Sequence, residues 1–194
     1  MISVIKYNAG NIRSVAFALE RLDVPFIITD NAEEIRKADK VIFPGVGEAS
    51  TTMRYLKDKK LDLVIKDLKQ PVLGICLGMQ LLCTYSEEND TPCIGIFDQT
   101  VKRFQPRNNE KVPHMGWNSL TPTQSWIPDS LSGAFVYFVH SYYVPANAAT
   151  AAITDYTLPF SAALKKDNFY AVQFHPEKSA KAGEKILTSF LNQH

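Results

Sequence analysis

A chain of 194 residues with 21 Lys and Arg against 20 Asp and Glu has the length of one ordinary domain and nearly balanced charge. We therefore predict a single domain over residues 1–194, with neither nucleic acid nor an acidic membrane as its partner. The first residues lack a signal-peptide pattern, and no stretch reaches the roughly 18 apolar residues of a membrane span, which favours a cytoplasmic protein.

Short apolar runs alternate with amphipathic stretches in the first half of the chain. The runs predict buried strands at Ile2–Tyr7, Phe26–Thr29, Val41–Phe43 and Pro71–Leu73. The stretches between them predict a helix capped by Asn11, a second capped by Asn31, and helices at Glu48–Leu56 and Leu61–Leu68. This alternation predicts an α/β fold with three α/β/α layers and a mostly parallel sheet, whose functional loops follow the C-terminal ends of the strands.

The fourth predicted strand leads into Gly74-Ile75-Cys76-Leu77-Gly78, which has the spacing of a nucleophile elbow. Glycines two residues before and after Cys76 remove Cβ atoms for which a tight strand-to-helix turn has no room. The turn is expected to expose the sulfur at the end of the strand, where the helix N-terminus favours the thiolate. The alternative is that Cys76 is a small buried hydrophobic residue, the commoner environment of a cysteine.

After about residue 92 the sequence pattern changes to short β-like runs separated by Pro, Gly and Asn. These runs predict an antiparallel extension of the sheet. The strand candidates are Gly95–Phe97, Val101–Phe104, Phe135–Val139, Ala151–Ile153, Ala162–Leu164 and Tyr170–Phe174. The chain is predicted to close with an amphipathic helix that carries Ala182, Ile186, Leu187, Phe190 and Leu191 on one face.

A candidate base and its orienting group follow the last predicted strand, in Gln173-Phe174-His175-Pro176-Glu177. Pro176 cannot donate a hydrogen bond within a sheet, so the strand is expected to end near His175. In an extended chain Glu177 points to the same side as His175, and its carboxylate can accept the imidazole N–H. We therefore predict that Cys76, His175 and Glu177 form a catalytic triad of nucleophile, base and orienting carboxylate.

The residues of this triad also carry a family resemblance. Gly74–Gln80 together with His175-Pro176-Glu177 resembles the triad, or class-I, glutamine amidotransferases. Further stretches resemble, more narrowly, the glutaminase subunits of imidazole glycerol phosphate synthase in histidine biosynthesis: Tyr7–Asn11 with Ser14, Pro44–Gly47, His114–Asn118 and Val139–Tyr143. The resemblance extends from residue 2 to the final helix.

The resemblance implies hydrolysis of L-glutamine to glutamate and ammonia. Cys76 would attack the side-chain amide to give a thioester, while His175 protonates the leaving amine and later activates water. The Leu77 N–H, next to the nucleophile, is the expected oxyanion donor, and Val46 and Gly47 are expected to supply a second. Because glycines flank Val46, its peptide is expected to rotate so that the second donor forms only with a loaded partner.

Other positions are assigned by the resemblance to substrate and partner. Gly47, Gln80, Ser141 and Tyr142 are implied to surround glutamine, although Ser141 and Tyr142 could instead form an ordinary turn. The implied partner is a (β/α)8-barrel cyclase that receives the ammonia and makes imidazole glycerol phosphate and AICAR. Its interface is implied to include Asn8, Asn11, Met115, Trp117 and Tyr137, with burial in the core as the alternative for Trp117.

The remaining reactive residues have simpler interpretations. His114 and His140 lack a metal-ligand companion at helical spacing and are interpreted as structural. Cys83 is expected two turns beyond Cys76 on the same helix face, packed in the core, and Cys93 in a loop. With no Cys-x-x-Cys pair, neither disulfides nor a zinc site is expected, and no metal or organic cofactor is predicted.

Two other functions remain open. One is the amidotransferase subunit of a different pathway with the same triad, such as vitamin B6 synthesis. The other is a binding module whose triad is silent, which would not react selectively at Cys76 with a glutamine-mimicking alkylator.

Overall fold

A computed structural model of the chain describes residues 1–7, 11–106, 110–124 and 126–193. Its helices are α1 (Ile12–Arg21), α2 (Ala32–Lys37), α3 (Ala49–Asp58), α4 (Leu61–Asp67), α5 (Leu77–Leu81) and α6 (Ala180–Leu191). Its strands are β1 (Ile2–Ile5), β2 (Phe26–Thr29), β3 (Lys40–Phe43), β4 (Val72–Ile75), β5 (Cys83–Ser86), β6 (Thr91–Pro92), β7 (Phe97–Arg103), β8 (His114–Ser119), β9 (Thr121–Pro122), β10 (Phe135–His140), β11 (Tyr142–Tyr143), β12 (Thr150–Asp155), β13 (Pro159–Lys166) and β14 (Phe169–Val172). Short 3₁₀ turns lie at Asp129–Leu131 and Pro176–Lys178.

The main sheet has the strand order β2-β1-β3-β4-β14-β13-β12-β9. Neighbouring strands from β2 to β14 are parallel, whereas those from β14 to β9 are antiparallel. The predicted mostly parallel sheet with an antiparallel extension is therefore confirmed.

Helices cover both faces of this sheet. Successive side chains of a strand point to opposite faces, so Ile42 of β3 packs with residues of α1 and α6, whereas Val41 and Phe43 pack with residues of α2, α3, α4 and α5. All three of these β3 side chains are fully buried. The two apolar layers confirm the predicted α/β/α arrangement.

The two asparagines predicted as helix caps behave differently. Oδ1 of Asn31 accepts hydrogen bonds from the N–H groups of Glu33, at 2.8 Å, and Glu34, at 3.3 Å, and so caps α2 as predicted. Asn11 precedes α1 with a φ of 74° and makes no side-chain cap. The prediction for Asn11 is wrong because its amide donates to the Glu177 carboxylate, far along the chain.

Several predicted members of the antiparallel extension lie in separate small sheets. Gly95–Phe97 and Val101–Phe104, predicted as two runs, contribute to one strand, β7, in a sheet of order β11-β7-β5-β6. The run at Phe135–Val139 forms β10, which pairs with β8 in an antiparallel ribbon. The prediction that these runs extend the main sheet is wrong. An apolar alternation indicates that a segment forms a strand, but it does not indicate which strand pairs with it.

The two other cysteines lie beyond the elbow. Cys83 begins β5 instead of continuing the helix of Cys76, because α5 ends at Leu81. It is nevertheless fully buried, as predicted, and burial raises the pKa of its thiol. Cys93 is outside the strands and helices, as predicted. None of the helices within the described ranges is long and apolar enough to cross a membrane.

Candidate active site

The C-terminal ends of β3, β4 and β14 meet at one edge of the main sheet, because these strands are adjacent and parallel. β3 leads into Gly45–Gly47, β4 leads into Cys76, and the chain after β14 leads to His175. Segments that are far apart in the sequence are thereby brought together where functional loops of α/β proteins are expected.

Cys76 occupies a sharp turn between β4 and α5, with a φ of 52° and a ψ of −108°. Such a φ is unfavourable for a residue with a Cβ, and the surrounding packing maintains it. A Cβ on Gly78 would overlap the carbonyl oxygen of Phe43, and one on Gly45 would lie 2.6 Å from the Gly78 nitrogen. The predicted elbow is confirmed, but Cys76 is only 6% exposed, so the sulfur lies inside a cleft instead of standing out in solvent.

His175 and Glu177 are joined by a hydrogen bond of 2.7 Å between Nδ1 and Oε1. A 3₁₀ turn brings them together, and the predicted extended chain is wrong here. A carboxylate can only accept, so Nδ1 carries the proton and Nε2 has the lone pair when the ring is neutral. Asn11 also donates to Oε1 of Glu177, a contact that sequence reasoning missed because Asn11 lies 166 positions away.

Nε2 of His175 is buried and has no hydrogen-bond partner among the described residues. Burial alone lowers the pKa of this imidazole, but negative charge on Cys76 and Glu177 outweighs burial and raises the pKa from 6.5 to about 10. The site therefore stabilises the protonated imidazole of His175, and an imidazolium near a cysteine is the electrostatic arrangement that activates a cysteine nucleophile.

A cleft of about 370 Å³ opens above Cys76. Its size suits a small polar molecule, and its walls come from five parts of the chain: the loop after β3, the elbow, the loop after β5, the residue before β8 and the β10–β11 corner. The lining residues are Val46, Gly47, Cys76, Leu77, Gln80, Glu88, Pro113, Val139, His140, Ser141 and Tyr142.

The residues predicted for the oxyanion hole lie in this cleft. The Leu77 N–H donates to the Gly45 carbonyl oxygen at a distance of 3.3 Å. Val46 separates Gly45 from Gly47, and Gly47 has a φ of 121°, a conformation that favours glycine. The Leu77 N–H, the first expected oxyanion donor, is thus engaged in a long hydrogen bond with the same loop that is expected to supply the second donor.

The residues predicted to surround the substrate also lie together. Nε2 of Gln80 donates to the Tyr142 carbonyl at 3.0 Å and to Oε1 of Gln173 at 2.9 Å. Ser141 and Tyr142 also line the cleft, and the Ser141 carbonyl accepts from the Phe104 N–H at 3.0 Å. The turn at Ser141 is therefore part of the cleft.

Glu88 is a cleft residue that the sequence reasoning missed. Burial raises the pKa of its carboxyl, the Ala49 N–H at 2.8 Å from Oε2 opposes this, and the charge of Glu48 adds to it. Glu88 lies between two short strands in Glu87-Glu88-Asn89-Asp90, an acidic stretch that reads as an ordinary surface turn. No local signal separates Glu88 from its acidic neighbours.

The residues predicted for the partner interface are divided. Asn8 lies outside the described residues. Met115 and Trp117 point outward from the β8–β10 ribbon with 66% and 54% of their surface exposed, and Tyr137 packs against Trp117 with ring centroids 5.9 Å apart. The alternative of a core position for Trp117 is wrong. Asn11 is half-buried against the triad.

Residues 3–193 match the family model described as Glutamine amidotransferase class-I. The imidazole glycerol phosphate synthase subunit HisH of Bacteroides fragilis YCH46 is 63% identical, with 98% of each chain covered. The subunit of the same name from Bacteroides thetaiotaomicron is 61% identical, also with 98% of each chain covered. The chain belongs to the HisH family of class-I glutamine amidotransferases.

The fold of this amidotransferase agrees with solved structures of distant relatives. A crystal structure of a glutamine amidotransferase superposes with a TM-score of 0.76 at 16% identity, covering 98% of this chain and 97% of the other. At that identity the likeness shows the fold alone. Within the described residues, no group of three or more His, Cys, Asp or Glu side chains could hold a metal ion.

Proposed function

We propose that this amidotransferase is the glutaminase subunit of imidazole glycerol phosphate synthase, with Cys76, His175 and Glu177 as its catalytic residues. Relatives of that name at 61–63% identity over nearly the whole chain support the reaction. The observation that carries the assignment of residues is the buried His175–Glu177 hydrogen bond at the end of β14, beside the cysteine elbow at the end of β4.

The geometry supports a step-by-step role for each group. The Cys76 thiolate attacks the side-chain carbonyl carbon of glutamine, and the carbonyl electron pair moves to oxygen. The imidazolium of His175 gives its Nε2 proton to the leaving nitrogen, so that ammonia departs and a thioester remains. His175 then removes a proton from water, which attacks the thioester and releases glutamate. Glu177 holds Nδ1–H and stabilises the imidazolium throughout.

The oxyanion hole is proposed to form from Leu77 and the Val46–Gly47 peptide. In the structure the Gly45 carbonyl accepts the Leu77 N–H at 3.3 Å. Rotation of the Val46 peptide would aim an N–H at the developing oxyanion and, by moving this loop, release the Leu77 N–H. Each such donor is worth about 3 to 4 kcal/mol in the transition state, so this rotation would make hydrolysis depend on the loaded partner.

The amino-acid end of glutamine is proposed to lie against Gly47, Gln80, Ser141 and Tyr142. Glu88, the acidic residue among those that line the cleft, is suited to bind the α-ammonium group. Burial raises the pKa of its carboxyl, which means that the carboxylate form would gain from a cationic partner in this partly desolvated place. Polar backbone and hydroxyl groups of Gly47 and Ser141 would receive the α-carboxylate.

The proposed partner is a (β/α)8-barrel cyclase that takes up ammonia and makes imidazole glycerol phosphate and AICAR. Ammonia released into water at neutral pH becomes ammonium, which is not a nucleophile, so a covered exit is required. The exposed face of the β8–β10 ribbon supports docking near the triad, because the Tyr137 carbonyl accepts the His175 N–H at 2.9 Å. Asn8 and Asn11 stay predictions as interface residues.

The test is glutamate release from L-glutamine by the purified chain, alone and with the cyclase and its ribonucleotide ligand. We expect weak activity alone and a large increase with the loaded cyclase, both abolished in Cys76→Ala. A Glu88→Gln variant should raise KM with little change in kcat. Equal activity in both conditions would contradict the partner-dependent oxyanion hole but not the triad.

The same assay separates the other functions. An amidotransferase of another pathway would hydrolyse glutamine through Cys76 without responding to the cyclase. A silent binding module would show no Cys76-dependent hydrolysis in any condition and no selective alkylation of Cys76 by a glutamine analogue.

A further inference from the structure

Two buried histidines outside the triad contact each other beside the cleft. His114 of β8 and His140 of β10 lie opposite each other in the ribbon, and Nδ1 of His114 is 3.0 Å from Nε2 of His140. They are 4% and 5% exposed. From the sequence alone each is interpreted as an isolated structural histidine, but in the structure the two form one hydrogen-bonded pair.

The hydrogen bonds of this pair run in one direction. Nδ1 of His140 is 2.7 Å from the Tyr142 carbonyl oxygen, which can only accept, so Nδ1 carries the proton. Nε2 of a neutral His140 must then accept, and Nδ1 of His114 donates to it. Nε2 of His114 accepts in turn from Nδ2 of Asn118, 3.3 Å away. Each ring thereby has a defined tautomer.

The surroundings keep both rings neutral. Burial lowers the pKa of His114 to about 4. Burial also lowers the pKa of His140 to about 3, although the Tyr142 carbonyl acts in the opposite direction. The rings are packed among aromatic side chains, with Tyr156 stacked on His114 at 4.0 Å and Phe160 at 5.2 Å from His140. A proton on His140 Nε2 would point at the Nδ1–H of His114 and break the hydrogen bond between the two rings.

This series of hydrogen bonds ends at a backbone carbonyl, that of Tyr142, which belongs to the glutamine cleft. The Tyr142 carbonyl accepts two hydrogen bonds from within the protein, from Nδ1 of His140 and from Nε2 of Gln80. The segment His140-Ser141-Tyr142 forms one wall of the cleft. Two donors arriving from different elements fix the orientation of this carbonyl, and with it the position of the preceding Ser141 backbone.

We propose that His140, held in its tautomer by His114, is a positioning residue that sets the Ser141–Tyr142 wall for binding of the amino-acid end of the substrate. The inference rests on the proposed function, because the ligand of this wall is glutamine. His140 takes no part in proton transfer, and its effect is on substrate affinity.

The experiment compares His140→Phe with His140→Asn in the complex with the cyclase. Phe keeps a ring of similar size among the aromatic neighbours but removes both hydrogen bonds, whereas Asn can keep an N–H near the Nδ1 position. For His140→Phe we expect the KM for glutamine to rise about tenfold, the loss expected for one hydrogen bond, with kcat changed less than about threefold. His140→Asn should recover most of the affinity.

Two readouts separate positioning from a general structural effect. The rate at which iodoacetamide, which lacks an amino-acid end, alkylates Cys76 should stay within about twofold of wild type in His140→Phe. In the wild-type chain, ¹⁵N NMR should find His114 and His140 neutral, with the proton on Nδ1.

Unchanged KM in His140→Phe would overturn the inference, as would equal losses in kcat and alkylation rate or a proton on Nε2 of His140. Failure of the proposed function is distinguishable from these results. In that case the wild-type complex would not hydrolyse glutamine, whereas failure of the inference alone would leave an active wild type with the KM of the variant unchanged.

Discussion

At Cys76, backbone strain and close packing support each other. Its φ of 52° is a conformation that costs about 1 to 3 kcal/mol for a residue with a side chain. The turn is held because the backbone of Gly78 lies directly against Phe43 and that of Gly45 lies against Gly78. The reactive sulfur is therefore positioned by residues that have no side chain of their own.

Gly78→Ala tests this packing. Gly78 lies within α5, where helix propensity alone predicts that alanine stabilises by about 1 kcal/mol. The overlap of a Cβ with the Phe43 carbonyl oxygen leads us to expect the opposite, a loss of about 3 kcal/mol in the free energy of unfolding together with loss of Cys76-dependent hydrolysis. Chemical denaturation and the glutaminase assay measure both.

Gly133→Ala is the matched control. Unlike Gly78, Gly133 has a positive φ, 74°, and among the described residues beyond its chain neighbours no atom lies within 4 Å of an added Cβ. We expect a cost of about 1 kcal/mol from backbone conformation alone, with normal activity. A Gly78→Ala protein as stable as wild type would contradict the account of the elbow.

At the scale of elements, the β8–β10 ribbon has two different faces. Alternation along the strands turns His114 inward to His140 and turns Met115 and Trp117 outward. The inner face packs two neutral histidines against the aromatic cluster, and burial lowers the pKa of both. This packing makes the ribbon sensitive to acid.

The unfolding free energy is expected to fall as the pH decreases from about 6.5 toward 4. In this range the unfolded chain takes up protons on both histidines, whereas the folded chain, with pKa values of about 4 and about 3, takes up few. The contribution of each neutral histidine to stability is fully present above its pKa in the unfolded chain. It is lost as the pH falls toward the pKa in the folded chain, by about 1.4 kcal/mol per pH unit for each histidine. Urea denaturation at a series of pH values measures the slope.

Replacing His140 by Phe should remove one of these two contributions and flatten the slope. Asn118→Ala is the control, because it removes a hydrogen bond to His114 and leaves both histidines in place. Its curve should be shifted but parallel to that of wild type. A slope in His140→Phe as steep as that of wild type would show that His140 does not titrate as its burial requires.

At the scale of the whole molecule, the sheet order places the triad next to an exposed apolar surface. β14 lies beside β4 in the sheet, and the chain beyond β14 bonds to the β8–β10 ribbon through the His175 N–H and the Tyr137 carbonyl. The surface of Met115, Trp117 and Phe135, with each side chain more than half exposed, is therefore close to where ammonia would be released.

Trp117→Ala is expected to weaken binding of the cyclase more than it lowers the stability of the chain. Trp117 is 54% exposed, so its removal leaves little cavity, whereas tryptophan is a frequent interface hot spot. We expect the Kd for the cyclase to rise about tenfold or more, with Tm changed by no more than about 2 °C. Titration and thermal melting measure the two effects.

Leu63→Ala provides the comparison, since Leu63 of α4 is 57% exposed and lies on a different element. This variant should leave both the Kd and the Tm nearly unchanged. A larger effect of Trp117→Ala on Tm than on the Kd would contradict the assignment of this surface to the partner.

Local patterns in the sequence were enough to predict the alternating strands and helices, the Asn31 cap, the cysteine elbow and the family. The reason is that an apolar period, a cap or a glycine at a tight turn depends on residues close along the chain. The pairing of Cys76 with His175 came from the logic of the triad, and their adjacency required β4 and β14 to be neighbours.

Tertiary structure decided what depends on residues distant in the sequence. Asn11 bonds to Glu177 instead of capping its own helix, and His114 pairs with His140. Glu88, an acidic residue of a short turn, lines the cleft. Burial and long-range strand pairing determine these contacts, and neither is encoded in the local pattern of charge and hydrophobicity from which the sequence analysis began.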